Sequence, residues 1–166
     1  MNNSLTLRQV TALLGVSRMR VEKWISDGTF PPRAFADPGR PREWTFGEVM
    51  RLAVFLRLVD AVGVDTKTAG MLTQTGIHGF SDDGAYFVAY NGPPTLVLPW
   101  MAQSVRKGDI AAFLAGGCEY PFVLKSGDDE ATLAHNSRKN TGPASAAIII
   151  DLDEIERDLK TAWPEA

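Results

Sequence analysis

The sequence predicts an α+β protein in which a mostly helical first part precedes a small mixed strand/helix domain. Apolar residues recur at helical spacing through the first seventy or so positions, and strand-like alternation begins near Tyr86. Between them, the stretch 75–84 is rich in glycine and aspartate, as linkers often are. We therefore divide the chain into a first domain at 1–75 and a second domain at 85–166.

Two short helices joined by a tight turn open the first domain. Thr6 and Gln9 form a capping box, and Gly15 ends the first helix because glycine adopts left-handed backbone without strain. Ser17 caps a second helix that reaches about Ser26. The apolar positions of the two helices are Leu7, Val10, Leu13, Leu14, Val21, Trp24 and Ile25. This order of elements is the helix-turn-helix pattern.

A breaker-rich loop and two further helices complete the first domain. Four prolines in 29–44 exclude a helix and predict a stiff loop or hairpin, which would form a wing. Thr45 and Glu48 form a second capping box, and the third helix runs from there until Gly63. Asp65 is placed to cap a short fourth helix.

The second domain is predicted to alternate strands and helices. Strands are expected at 86–90, 95–100 and 120–124, with a helix at 103–115 and a polar loop at 126–145. The unbroken apolar run 146–150 predicts a strand buried on both faces. A last helix begins at Asp151 or Asp153.

Charge is distributed unequally between the two parts. Residues 1–70 hold ten Lys/Arg and seven Asp/Glu, whereas residues 71–166 hold seven and thirteen. The whole chain carries −3, so the basic excess is confined to the helical part. This asymmetry favours a first part that meets a polyanion.

The second helix has a polar front suited to the major groove of DNA. Met19 and Lys23 lie opposite its apolar stripe on a helical wheel, with Arg18 and Arg20 on the flanks. Arg and Lys can bond guanine O6 and N7 or pair with phosphates, and a capped helix start can bind phosphate. The predicted contacts are Ser17, Arg18, Met19, Arg20 and Lys23 from this helix, and Arg33, Arg40 and Arg42 from the loop.

Residues 5–72 resemble the DNA-binding domain of the MerR superfamily, in its excisionase-like form. The resemblance is carried by 7–10, 14–17, 23–25 with 28–31, and 42–49 through Leu52 and 63–64. It implies a winged helix-turn-helix. MerR activators carry an arginine and aromatics where this chain has Glu22, Lys23 and Trp24, and they continue into a long dimerising helix that is missing here. The promoter-remodelling mechanism of those activators therefore does not carry over.

The end of the chain is a candidate homodimer interface, since one recognition helix reads only a few base pairs. The apolar positions there are Ile148, Ile150, Leu152, Ile155, Leu159 and Trp163. The alternative is that they complete the core of the same subunit. The aromatics of the second domain leave a similar choice open, between core and a pocket for a small-molecule effector.

Other chemistries are poorly supported by the sequence. Asp151 and Asp153 follow a strand as in some phosphatases, but too few residues remain to complete such a site, and a helix cap explains them. His78 and His135 have no partners at metal-ligand spacing, and Cys118 is the only cysteine, expected to be an inert thiol. We expect no cofactor, no metal and no enzymatic activity.

The sequence therefore predicts a sequence-specific regulator of transcription that binds double-stranded DNA. The alternatives are an architectural DNA-binding factor, of excisionase or packaging-recognition type, and a protein-interaction adaptor that keeps the fold without the DNA contacts. No apolar run is long enough to cross a membrane, and the first residues lack the features of a signal peptide. The expected location is the cytoplasm.

Overall fold

The structure, a computed structural model, describes residues 4–33, 41–77, 84–91, 100–120 and 140–164. It is α+β, as predicted. The helices are α1 (Leu7–Leu14), α2 (Arg18–Ser26), α3 (Phe46–Leu56), α4 (Thr66–Thr75), the short α5 (Ile110–Ala112) and α6 (Leu152–Ala162). The strands are β1 (Ala85–Asn91), β2 (Met101–Arg106), β3 (Cys118–Tyr120), β4 (Asn140–Gly142) and β5 (Ala146–Asp151).

The predicted boundaries of α1 and α2 are confirmed by their caps. The Thr6 hydroxyl accepts from the Gln9 amide while the Gln9 side chain accepts from the Thr6 amide, which is the complete capping box. Gly15 ends α1 with φ 64°, in the left-handed region. Ser17 then caps α2, its Oγ accepting from the Arg20 amide at 3.3 Å. Only three residues separate the two helices, so their relative direction is set locally.

Helix α3 is the centre of the helical part. Every residue from Glu48 to Phe55 is buried, more than the single stripe expected from the sequence. Thr45 caps the helix, but the Glu48 carboxylate turns to Arg51, so only half of the second capping box forms. The helix continues through a π-helical turn (Arg57–Val62) and ends at Gly63, φ 81°.

Helix α4 packs close against Thr29, in the segment that follows α2. Asp65 caps it as predicted, accepting from the Thr68 amide at 3.0 Å, and this bond lowers the pKa of the Asp65 carboxyl. Gly70 lies against the backbone carbonyl of Thr29, where a Cβ would collide with the oxygen. A glycine inside the helix therefore allows this approach.

The sheet has the strand order β2-β1-β5, with both neighbours antiparallel to β1. Phe87 pairs with Ser104 on one side and Ile150 on the other. A separate ribbon pairs β3 with β4. The central strand β1 confirms the strand predicted at 86–90.

Several predictions for the second part were wrong. Residues 103–106, expected to begin a helix, belong to β2, since their backbone pairs with distant β1. Helical turns occupy 107–117 instead. Residues 140–142 lie in the predicted polar loop but form β4. Of the strands expected at 95–100 and 120–124, positions 95–99 and 121–124 lie outside the described residues.

One main hydrophobic core spans both predicted domains. Residues of α1 to α4 share it with Phe87, Ile150 and α6. The rings of Phe46 and Trp163 lie 5.1 Å apart, which joins the start of α3 to the end of α6. A smaller cluster on the other face of the sheet contains Tyr90 and Tyr120. The two parts are therefore distinct in sequence but packed on a common core.

Candidate nucleic-acid interface

The back of α2 is anchored in the core. Val21 and Trp24 are buried, and the indole of Trp24 meets Phe55 edge to face at 4.9 Å. The Trp24 carbonyl accepts from the Phe30 amide at 3.0 Å, which ties the end of α2 to the next segment. The helix therefore has one fixed orientation and presents its opposite face outward.

The front of α2 is open. Met19 is 81% exposed, the highest value among the exposed large hydrophobic side chains. Arg18, at the start of the helix, donates to Glu22 at 2.7 Å, and both are exposed. Lys23 is exposed, and within the described part of the chain it makes no ion pair. Ser17, Arg18, Met19 and Lys23 are thus all accessible, with Met19 and Lys23 opposite the buried stripe and Arg18 on its flank.

Arg20 is placed differently from the other predicted contacts. Its guanidinium pairs with both carboxylate oxygens of Asp60, in the π-helical turn after α3. It also lies over the Trp24 ring, 4.6 Å from the centroid. Arg20 is thus held on the flank of α2 by contacts within the protein, and it is not a free member of the open front.

The structure describes two of the three loop arginines, Arg33 and Arg42, and their placements differ. Arg33 donates to the carbonyls of Gln74 and Ile77 at 3.1 and 3.3 Å, which satisfies acceptors at the end of α4. Arg33 is therefore exposed but engaged by contacts within the protein. Arg42 is half-buried, and its Nη1 is buried without a hydrogen-bond partner. Arg40 lies outside the described residues.

The two ends of the loop are held by the core. Leu5 and Trp44 exchange backbone hydrogen bonds, each of 2.9 Å, so the exit of the loop pairs with the segment before α1. At the entrance, Arg51 donates to the Pro31 carbonyl at 2.7 Å and to Glu48 at 2.9 Å. The Arg51 guanidinium lies over the Phe30 ring, and its burial lowers the pKa of that group.

A cleft of about 530 Å³ lies beside the Arg20–Asp60 pair. Its apolar lining comes from the end of α1, from α3 and from α6, including Leu14, Leu56 and Leu159. Arg57, which contacts Glu154 of α6 at 3.6 Å, also lines it. The flank of α2 is therefore adjacent to the last helix of the chain.

The predicted dimer residues lie in the core of one chain. Ile150, Leu152, Ile155, Leu159 and Trp163 are buried, and Ile148 packs partly buried against them. For Ile150 and the α6 residues this corrects the prediction of a free interface, because these side chains pack in the core of their own chain, whereas Ile148 is only partly buried. The expectation that 146–150 is buried on both faces is also wrong, since Ile149 is 46% exposed.

Asp151 and Asp153, for which a phosphatase-like role was rejected from the sequence, make structural contacts. Asp151 caps α6 by accepting from the amides of Asp153 and Glu154. Lys107 bridges Asp151 and Asp153 at 2.8 and 2.9 Å, which raises the pKa of the ammonium. Within the described ranges no cluster of acidic, His or Cys side chains could hold a metal, and His78 and His135 fall outside them.

Cys118 is buried in the smaller cluster. Its Sγ donates to the Phe113 carbonyl, and burial raises the pKa of the thiol. A buried thiol with a raised pKa holds little thiolate at neutral pH, the form that reacts. The aromatics around it, including Tyr90 and Tyr120, are buried too, and burial raises the pKa of Tyr90 to about 12.

Two supporting contacts were not predicted from the sequence. Asp60 was not identified as the partner of Arg20, and Arg51 was not identified as the anchor of the loop. A charged residue within an otherwise apolar helix was the available signal for Arg51. No local pattern signals Asp60, which is forty positions from Arg20.

In comparisons with known proteins, no family model matches this chain, and no curated protein has a significantly similar sequence. Within the described residues, none of the helices has the length and apolar character to cross a membrane.

Proposed function

We propose that residues 5–72 form a winged helix-turn-helix and that the protein is a sequence-specific regulator of transcription acting on double-stranded DNA. The observation that carries the proposal is the division of α2 into a locked back and an open front. Trp24 is 6% exposed and Met19 is 81% exposed, five positions apart on the same helix. A rigid helix with an accessible polar front is what direct reading of base edges requires.

The role proposed for each side chain of α2 follows from its placement. Lys23 and Met19 are the base-reading candidates, because they are exposed opposite the buried stripe of α2, and Arg18 is an exposed candidate contact on the flank. Ser17 and the first amides of the helix suit a phosphate. Arg20 is assigned a positioning role, since its pair with Asp60 holds α2 against the turn after α3.

The loop 29–44 is proposed as the wing. Its two described ends are held by backbone contacts at Pro31 and Trp44. With Arg33 engaged at the end of α4, the cationic contacts proposed for the wing are Arg40 and Arg42. Such contacts release counterions and add affinity without adding sequence preference.

The test begins with selection of preferred duplexes from a random library by the full chain, followed by anisotropy titrations over a range of salt. Lys23→Ala should weaken binding to the preferred duplex by about 1–3 kcal/mol, with a smaller change on random DNA. The matched control is Arg157→Ala, which removes an exposed positive charge from α6.

Three outcomes would count against this proposal. Absence of DNA binding at low salt would favour the adaptor instead. Equal losses in Lys23→Ala and Arg157→Ala would leave only diffuse charge attraction. Mapping of bound sites in cells separates the remaining alternatives, since a discrete operator supports a regulator and long cooperative arrays support an architectural factor.

A further inference from the structure

The two outer strands of the sheet differ in chemistry. The strand β2 carries Gln103, Ser104 and Arg106, and the Ser104 hydroxyl donates to the Gly76 carbonyl at the end of α4. Polar and charged side chains are a common protection of sheet edges against pairing with another chain. The opposite outer strand, β5, has no such protection along most of its length.

The strand β5 is apolar, regular and accessible. Residues 146–150 read Ala-Ala-Ile-Ile-Ile, without charge or proline. Ala146 and Ala147 are exposed, and Ile149 is 46% exposed. Among the described strands, only β1 pairs with β5. An edge strand presents unpaired backbone groups, and an apolar one is a template for a further strand.

We propose that β5 pairs antiparallel with β5 of a second copy, about a two-fold axis at Ile148, so that two three-stranded sheets become one of six strands. A second copy is the occupant that the strand itself favours, because antiparallel pairing of identical strands is self-complementary. In this register Ala147 faces the partner's Ile149, and each exposed isoleucine is covered by an alanine.

Charge placement agrees with this register. Asp151 is the only charged residue of β5, and it would face the partner's Ser145. The two aspartates thus stand at opposite ends of the new ladder, and no like charges meet directly across it. Asp151 also has its counterion, Lys107, within its own chain, so the pairing needs no new partner for this charge.

The dimer does not rest on the proposed DNA binding, although it would supply the second recognition helix that dimeric readers use. Of the interface predicted from the sequence it retains the strand 146–150 and omits α6, whose apolar stripe is buried on α3. The proposed dimer contact therefore consists of the outer edge of β5 and its exposed side chains.

The experiment is sedimentation of the full chain without DNA, over a concentration series from the low micromolar range upward. Wild type should approach dimer mass, and Ile149→Lys should remain monomeric because a lysine on the open face is a natural block to edge pairing. The control Val62→Lys charges a comparably exposed apolar side chain in the turn after α3, and it should dimerise like wild type.

Amide hydrogen exchange locates the contact independently of mass. The amides of 146–150 should exchange more slowly as wild type is concentrated, and this protection should be lost in Ile149→Lys while circular dichroism is unchanged. Monomeric wild type at every concentration overturns the proposal, and so does a dimer that persists in Ile149→Lys. Both readouts omit DNA, so a failure here is distinct from a failure of DNA binding.

Discussion

The guanidinium of Arg20 and the carboxylate of Asp60 form a two-point ion pair that joins α2 to the turn after α3. Arg20 Nη1 donates to Asp60 Oδ2 at 3.0 Å, and Nη2 donates to Oδ1. Trp24 lies beneath the same guanidinium. The pair therefore links the flank of α2 to the turn after α3 and places a carboxylate beside the proposed DNA surface.

A double-mutant cycle on this pair separates positioning from base reading. We expect Arg20→Ala to weaken binding to preferred and random DNA alike, because it leaves the Asp60 charge unpaired near the phosphates. Asp60→Asn in that background should restore most of the loss, as measured by anisotropy at fixed salt. Stability should change by only about 0–1 kcal/mol in either variant, since the pair is exposed. A loss confined to the preferred sequence would return Arg20 to the base-reading set.

The loop arginines should divide into two classes. Arg40→Ala and Arg42→Ala should each reduce the slope of log K against log salt by about one, and equally for preferred and random DNA. Arg33→Ala should leave that slope unchanged and lower the free energy of unfolding by about 1 kcal/mol, since Arg33 donates to carbonyls at the end of α4. A reduced slope in Arg33→Ala would show that this side chain leaves α4 for DNA.

The two faces of α2 should respond oppositely to truncation. Trp24→Ala should lower the free energy of unfolding by about 3–5 kcal/mol, because it removes a buried aromatic that packs on Phe55. Met19→Ala on the open front should change stability by no more than about 0.5 kcal/mol. Urea denaturation measures both, and similar losses in the two variants would contradict the assigned orientation of the helix.

The buried pair of Glu48 and Arg51 should be costly to break. Glu48→Ala leaves the guanidinium of Arg51 buried without its counterion, and we expect a loss of about 3–5 kcal/mol in urea denaturation. Glu22→Ala is the matched control, since its partner Arg18 is exposed and the pair contributes about 0.3–0.5 kcal/mol. A small loss in Glu48→Ala would mean that the entrance of the loop does not depend on this pair.

Two glycines in helices should give opposite results. Alanine normally stabilises a helix by about 0.5–1 kcal/mol relative to glycine, and Gly47→Ala should do so because no atom lies near its Cβ position. Gly70→Ala should instead destabilise by about 1–3 kcal/mol, since its Cβ would collide with the Thr29 carbonyl. Thermal unfolding of the two variants measures both changes in stability. A stabilised Gly70→Ala would show that α4 can move away from Thr29 at no cost.

Local chemistry accounts for the features that the sequence predicted well. The ends of α1 and α2 follow from Thr6, Gly15 and Ser17, whose side chains or backbone act within four residues of themselves. The open front of α2 follows equally from helical period, which places Met19 opposite Val21 and Trp24. Both need only short-range geometry and the burial of apolar groups.

Long-range pairing accounts for the features that the sequence did not predict. The partner of Arg20, the anchoring of Arg33 on α4, and the edge position of β5 all join residues far apart in the chain. The sequence by itself determined α1 to α4, their caps at Thr6, Ser17, Thr45 and Asp65, and the apolar stripe of α6. Only the tertiary structure decided that this stripe faces α3 and that Ile149 stays exposed, because an apolar stripe specifies burial but not the surface that buries it.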